Sequence, residues 1–174
     1  MADASNGTHD GAQLLGLVWR LVRDEGFDPA DFVLAGSARL MATGFRRRLS
    51  DIDIVARGET WSRARELARV GRGYTERTAV SGARVVRLFE GLVEVCDHWF
   101  MPGLESDSII DRAERIDGLP YMTLADLKAY KQKLDRPKDR RDLAVIARSE
   151  GAQRQLPLTP VLLSADREKA LASV

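Results

Sequence analysis

Residues 32–56 read F-V-L-A-G-S-A-R-L-M-A-T-G-F-R-R-R-L-S-D-I-D-I-V-A, and the fold turns on how this stretch is parsed. Phe32 to Ala35 form a short apolar run suited to a buried strand. Gly36-Ser37 breaks the run, and Ala38 to Thr43 suits a short helix. Gly44 opens a basic loop, Phe45 to Arg48. Ser50 to Ala56 then alternates: Asp51, Asp53 and Val55 fall on one face of a strand, Ile52 and Ile54 on the other. Two like charges about 4 Å apart repel by about 4 kcal/mol at an effective dielectric near 20. A bridging cation turns that cost into a binding site. Oxygen donors suit Mg²⁺, which keeps waters and borrows phosphate oxygens. A lone D-x-D pair is more often a solvated strand end. The upstream turn alters the balance, because glycine admits close backbone approach. A serine hydroxyl and a helix N-terminus add donors for phosphate.

Working outward, Ala12 to Asp24 carries Leu14, Leu15, Val18, Leu21 and Val22 at helical spacing, with Gly26 as the stop. Thr60 to Val70 is a second helix. Arg84 to Phe89 and Leu92 to Trp99 predict a hairpin about Glu90-Gly91. Residues 102–119 show no clear period. Thr123 caps a helix to Leu134, and Pro137 sits near the start of another through Leu143 and Ile146. The order predicts an α+β (α/β) domain, a small mixed sheet flanked by helices, with further helices at the C-terminus. The expected division is a disordered segment at 1–11, a domain at 12–148 and a tail or short docking helix at 149–174.

The chain has 174 residues, 44% apolar and 30% charged, with a formal net charge of +1. No global field draws it to nucleic acid or anionic membranes, so a polyanion contact must be local. One cysteine, Cys96, excludes an intrachain disulfide, and two histidines with it make no Cys/His zinc site. Residues 1–11 lack the basic and apolar regions of a leader, and no run approaches a membrane span. The expectation is a cytoplasmic protein with no membrane partner.

The stretch L-A-G-S-A-R-L-M-A-T-G-F-R-R-R-L-S-D-I-D-I-V resembles the signature of the nucleotidyltransferase superfamily in its minimal, AbiEii-like bacterial form. The matching positions are Gly36-Ser37, Gly44, Arg47, and Asp51 with Asp53; Leu49 departs from the Thr or Ser often found there. A second stretch, T-L-A-D-L-K-A-Y-K-Q-K-L-D-R-P-K-D-R-R-D-L, is similar to the family's C-terminal segment at Thr123, Asp126, Lys131, Arg136, Lys138, Asp139 and Asp142. The resemblance implies a nucleotidyltransferase fold in which Asp51 and Asp53 hold Mg²⁺, two ions in all. It implies that Gly36 and Ser37 hold phosphate oxygens and that Lys131 faces the triphosphate. Arg47 is either a phosphate contact or a salt bridge. A third carboxylate is implied on a neighbouring strand. Glu94, between Val93 and Val95, is preferred as ligand or base, with Asp97 on the opposite parity as the alternative. Arg136, Lys138, Arg140 and Arg141 read as a solvated basic face, with a basic surface for substrate as the alternative. Cys96 reads as core, His98 as structural, and Trp99 as packing or an acceptor-pocket wall.

The implied activity moves an NMP group from an NTP, typically ATP, to a hydroxyl acceptor. A small molecule is favoured, with Glu105, Asp107 and Asp111 as candidates to meet a cationic one. The alternatives are a toxin-type enzyme acting on tRNA or protein, and a non-catalytic NTP-binding or antitoxin-like protein of the same fold. The oligomeric state stays open, a homodimer included.

Overall fold

The computed structural model describes residues 8–45, 48–78, 82–99 and 105–155. In chain order the elements are β1 (His9–Asp10), α1 (Gly11–Asp24), β2 (Phe32–Ala35), α2 (Ala38–Ala42), β3 (Arg48–Leu49), β4 (Ile52–Ala56), α3 (Gly58–Arg69), β5 (Gly73–Arg77), β6 (Arg84–Leu88), β7 (Val93–Cys96), α4 (Ser106–Asp111), β8 (Glu114–Ile116), β9 (Leu119–Tyr121), α5 (Leu124–Leu134) and α6 (Pro137–Gln155). Seven strands pair in the order β5-β6-β7-β4-β2-β9-β8. β4 lies antiparallel to β2 and parallel to β7, so the sheet is mixed. The architecture is the expected one, a mixed sheet flanked by helices.

Every residue of β2 is buried, and so is all of β4 except Asp53. Alternation divides the core between the two faces. Phe32, Leu34, Ile52 and Ile54 pack beneath Leu14, Val18 and Leu21 of α1 and Trp61, Ala64 and Leu67 of α3. Val33, Ala35 and Val55 face Ile109 and Ile110 of α4, Leu127 and Tyr130 of α5 and Ile146 of α6. Asp53 shares the parity of this second face. β4 thus presents apolar side chains upward and one carboxylate downward.

Local chemistry explains the boundaries. Thr123 accepts from the Asp126 N–H at 3.0 Å and starts α5. Pro137 opens α6, where its missing N–H leaves nothing unpaired. The hairpin β6–β7 forms as predicted, joined by a tight turn in which Phe89, Glu90 and Gly91 all hold positive φ.

Two boundaries differ from the sequence reading. Residues 8–11 were expected in a disordered segment, yet His9 pairs with Leu49 and Asp10 with Arg48, and Gly11 is buried. Asp10 supplies the reason: its carboxylate accepts from the Ala12 N–H at 2.8 Å and caps α1. The predicted edge at 148 falls inside α6, which continues to Gln155. Residues 156–174 lie outside the described residues. No described helix is long and apolar enough to cross a membrane.

Candidate active site

β4 and β7 run parallel in a register that sets Asp53 opposite Glu94. On its other side Asp53 pairs with Ala35, the residue before Gly36. Asp51 lies just before β4 and shares the parity of Asp53. Three carboxylates therefore converge at one end of adjoining strands, close enough for the charge of Asp51 to raise the Glu94 carboxyl. The Ser50 hydroxyl lies 3.4 Å from Asp51 Oδ1. Of the two candidates on the hairpin, Glu94 joins the cluster. Asp97 follows β7 and is exposed, its backbone carbonyl accepting from the Ser106 hydroxyl at 2.9 Å.

The electrostatics record the crowding. The Asp53 carboxyl is pushed up to about 7, first by burial and then by the charges of Asp51 and Glu94, against the opposing pull of Lys138 and Arg87. Glu94 is likewise raised to about 7, by burial and Asp51, with Arg87 opposing. The Arg87 guanidinium donates to Glu94 Oε1, and its Nε donates to Glu76 at 2.5 Å.

Gly36 makes the approach of Asp53 possible. Its φ is +58°, and a Cβ there would lie 2.7 Å from Asp53 Oδ2. The carboxylate rests directly against the backbone of the turn. The Gly36 N–H, expected to face a phosphate, instead donates to Met122 Sδ at 3.1 Å. Gly36 therefore contributes room, and its amide is turned inward because the β9 end supplies an acceptor there. Ser37 is half-buried, and its hydroxyl makes no cap on α2.

Lys131 corrects the sequence reading. It is 1% exposed, and its Nζ lies 2.8 Å from Asp142 and 3.4 Å from Asp139. Its charge ties α5 to α6 and is spent there. The lysine whose charge does reach Asp53 is Lys138, an exposed residue in the first turn of α6. Sequence reasoning assigned it to a solvated face. Its neighbours on that stretch fit that assignment: Arg136 pairs with Asp139 at 2.6 Å and Arg140 with Asp135 at 2.7 Å. Arg47 lies outside the described residues. Asp107 and Asp111, candidates for an acceptor pocket, pair with Arg57 at 3.6 and 2.7 Å beyond the far end of β4.

A cavity of about 90 Å³ adjoins the carboxylates, lined by Asp53, Glu94, Cys96, His98, Trp99 and Tyr130 among others. Trp99 and Tyr130 form its aromatic wall, their ring centroids 4.9 Å apart. The Cys96 thiol, pushed up to about 12 chiefly by burial and then by Asp53, donates to the Ile54 carbonyl at 3.6 Å. A larger groove of about 720 Å³, lined by Arg20, Leu67, Tyr74 and Phe89, holds no cluster of carboxylates.

No family model and no curated protein matches the chain. Among solved structures it is similar to the crystal structure of ANT(2")-Ia in complex with adenylyl-2"-tobramycin. The two share 15% identity, the match covers 82% of this chain and 92% of that one, and the TM-score is 0.49. At that distance the likeness is one of outline, and the chemistry is read from this chain's own side chains.

Proposed function

We propose that the protein is a nucleotidyltransferase of the superfamily its D-x-D stretch resembles, moving an NMP group from an NTP to a hydroxyl on a small acceptor. The convergence of Asp51, Asp53 and Glu94 at the start of β4 and β7 carries the reading.

The donor set fits Mg²⁺. All three groups offer oxygen, and the raised carboxyls of Asp53 and Glu94 mark a surplus of negative charge that a cation relieves. Among the described residues no three His, Cys, Asp or Glu side chains stand close enough together to hold a metal ion by themselves. An ion here would be held by one or two carboxylates, with waters and substrate phosphates completing its shell. Asp51 and Asp53 would hold it, with Glu94 as the third carboxylate. When bound, Mg²⁺ offsets the charge of the triphosphate and lowers the pKa of the attacking hydroxyl.

The chain's own groups do the rest. Gly36 leaves the space in which the Asp53 carboxylate sits. Lys138 neutralises charge on the departing pyrophosphate, the role first given to Lys131. The cavity bounded by Trp99 and Tyr130 admits the acceptor, and about 90 Å³ suits a single ring or short polar chain. The acceptor oxygen bonds to the α-phosphorus as the α–β bridge breaks, and its proton passes to a Glu94 oxygen.

The test is calorimetric binding of a non-hydrolysable NTP, with and without Mg²⁺, to wild type and to Asp51→Asn/Asp53→Asn. Metal-dependent binding that the double variant loses is expected. A folded wild type that binds no NTP would overturn the reading. Pyrophosphate release across a panel of hydroxyl compounds then identifies the acceptor.

A further inference from the structure

Arg87 faces Glu94 across β6–β7 in register, and one guanidinium spans two carboxylates. Its Nη1 donates to Glu94 and its Nε to Glu76. The two ends of this bridge differ. Glu94 is enclosed, 17% exposed, while Glu76 on the edge strand β5 is 39% exposed. Arg87 itself is 26% exposed. The bridge lies on the same sheet face as Asp53, one strand further out. A cation drawn to Asp51 and Asp53 thus competes with Arg87 for the third carboxylate. The outer partner gives the guanidinium a second anchor, so it can leave Glu94 without losing its charge compensation. Gly91 and the Tyr74 hydroxyl flank it: a Cβ on Gly91 would lie 3.8 Å from both Arg87 Nη1 and the Tyr74 hydroxyl. A planar fork with five donors can keep one carboxylate on Nε while its terminal nitrogens turn to a phosphate.

We propose that Arg87 is a hand-over residue: it holds Glu94 while the site is empty, yields Glu94 when the cation enters, and then donates to a phosphate oxygen of the nucleotide. This rests on the nucleotidyltransferase reading above and deepens it. It makes Arg87 a further substrate-binding residue of that site, one that no motif or spacing marks. The hand-over predicts effects of opposite sign. Without nucleotide, removing Arg87 strengthens cation binding; with nucleotide, it weakens NTP binding. An ion pair that only braced β6 against β7 would shift stability and would not move the two affinities in opposite directions.

The test measures Mn²⁺ binding by electron paramagnetic resonance of the free ion, at pH 8.5 without nucleotide. Wild type, Arg87→Met, Arg87→Lys and Asp51→Asn/Asp53→Asn are compared, each checked for its fold by circular dichroism. Arg87→Met is expected to bind Mn²⁺ more tightly, on the order of three- to tenfold, as befits release from a half-exposed ion pair. Its affinity for a non-hydrolysable NTP with Mg²⁺ falls by about tenfold, the scale of one charge-assisted hydrogen bond. Arg87→Lys, which keeps the charge without the fork, falls between on both. Unchanged or weaker Mn²⁺ binding in a folded Arg87→Met would overturn the hand-over while leaving the metal reading intact. Wild-type Mn²⁺ binding indifferent to Asp51 and Asp53 would remove both.

Discussion

At φ +58°, Gly36 holds a conformation that strains any residue with a Cβ, and such a Cβ would press on Asp53 Oδ2 at 2.7 Å. The two penalties act on the same atom group. Gly36→Ala is expected to lower stability by about 2–4 kcal/mol, the sum of left-handed strain and a displaced carboxylate. It also moves Asp53 out of line with Glu94, so cation binding weakens with stability. Urea unfolding and Mn²⁺ titration on the same samples check this. A variant as stable as wild type would mean that the turn does not clasp Asp53. Ser37, next along, carries no such burden, since its hydroxyl makes no cap on α2.

At the scale of elements, the seam between α5 and α6 separates two lysines that look alike in sequence. Asp139 is fully buried, and although burial raises its carboxyl, the hydrogen bond from Arg136 and the Lys131 charge hold it below its ordinary value. Lys131→Met removes the buried cation between Asp139 and Asp142 and is expected to cost about 3–5 kcal/mol. Lys138→Ala, at an exposed position, is expected to change stability by less than about 0.5 kcal/mol. It nevertheless weakens NTP binding by about tenfold, since the lost partner is a charged phosphate. Thermal melts and calorimetry of the two variants give opposite rankings if the lysines are rightly divided. The reverse ranking would restore Lys131 to the phosphate.

This division shows what periodicity can and cannot deliver. The β2-turn-α2 unit, the alternation of β4 and the Thr123 cap are local, and each was legible. Register made Glu94 the better choice, because β7 has to alternate as β4 does. Lys131 was not legible, because its partners come from the following helix and no repeat records the packing of one helix on another. The stretch 102–119 was opaque for a related reason. Its structure includes α4 and the three-residue strands β8 and β9, with Pro120 inside β9 and a positive-φ turn at Asp117-Gly118. Elements this short are fixed by the sheet edge they join.

For the molecule as a whole, the carboxylate cluster couples stability to pH. Asp53 and Glu94 both have folded values near 7, above the 3.8 and 4.5 of free side chains. The folded chain therefore binds protons more readily than the unfolded one between those values. Stability from this source is full below about pH 4 and is lost as pH rises through about 7. The loss belongs to the cluster as a unit. Asp53→Asn is expected to flatten the slope and, at pH 8 without divalent cation, to exceed wild type by on the order of 1–2 kcal/mol. Mg²⁺ at pH 8 restores wild type and leaves Asp51→Asn/Asp53→Asn unmoved. Urea titrations at pH 5 to 8 and constant ionic strength decide it, and identical slopes for wild type and Asp53→Asn would exclude the coupling.

Cys96 gives the protein a built-in timer. It is the chain's one thiol, it bonds to Ile54 across β7 and β4, and a value near 12 keeps it protonated and inert at neutral pH. The half-buried side chain lines the cavity beside Asp53 and Glu94, so a disulfide dye reaches it through the space proposed for the acceptor. The rate at which colour develops thus times entry into that cavity, and any molecule that seats itself between Trp99 and the carboxylates slows the clock.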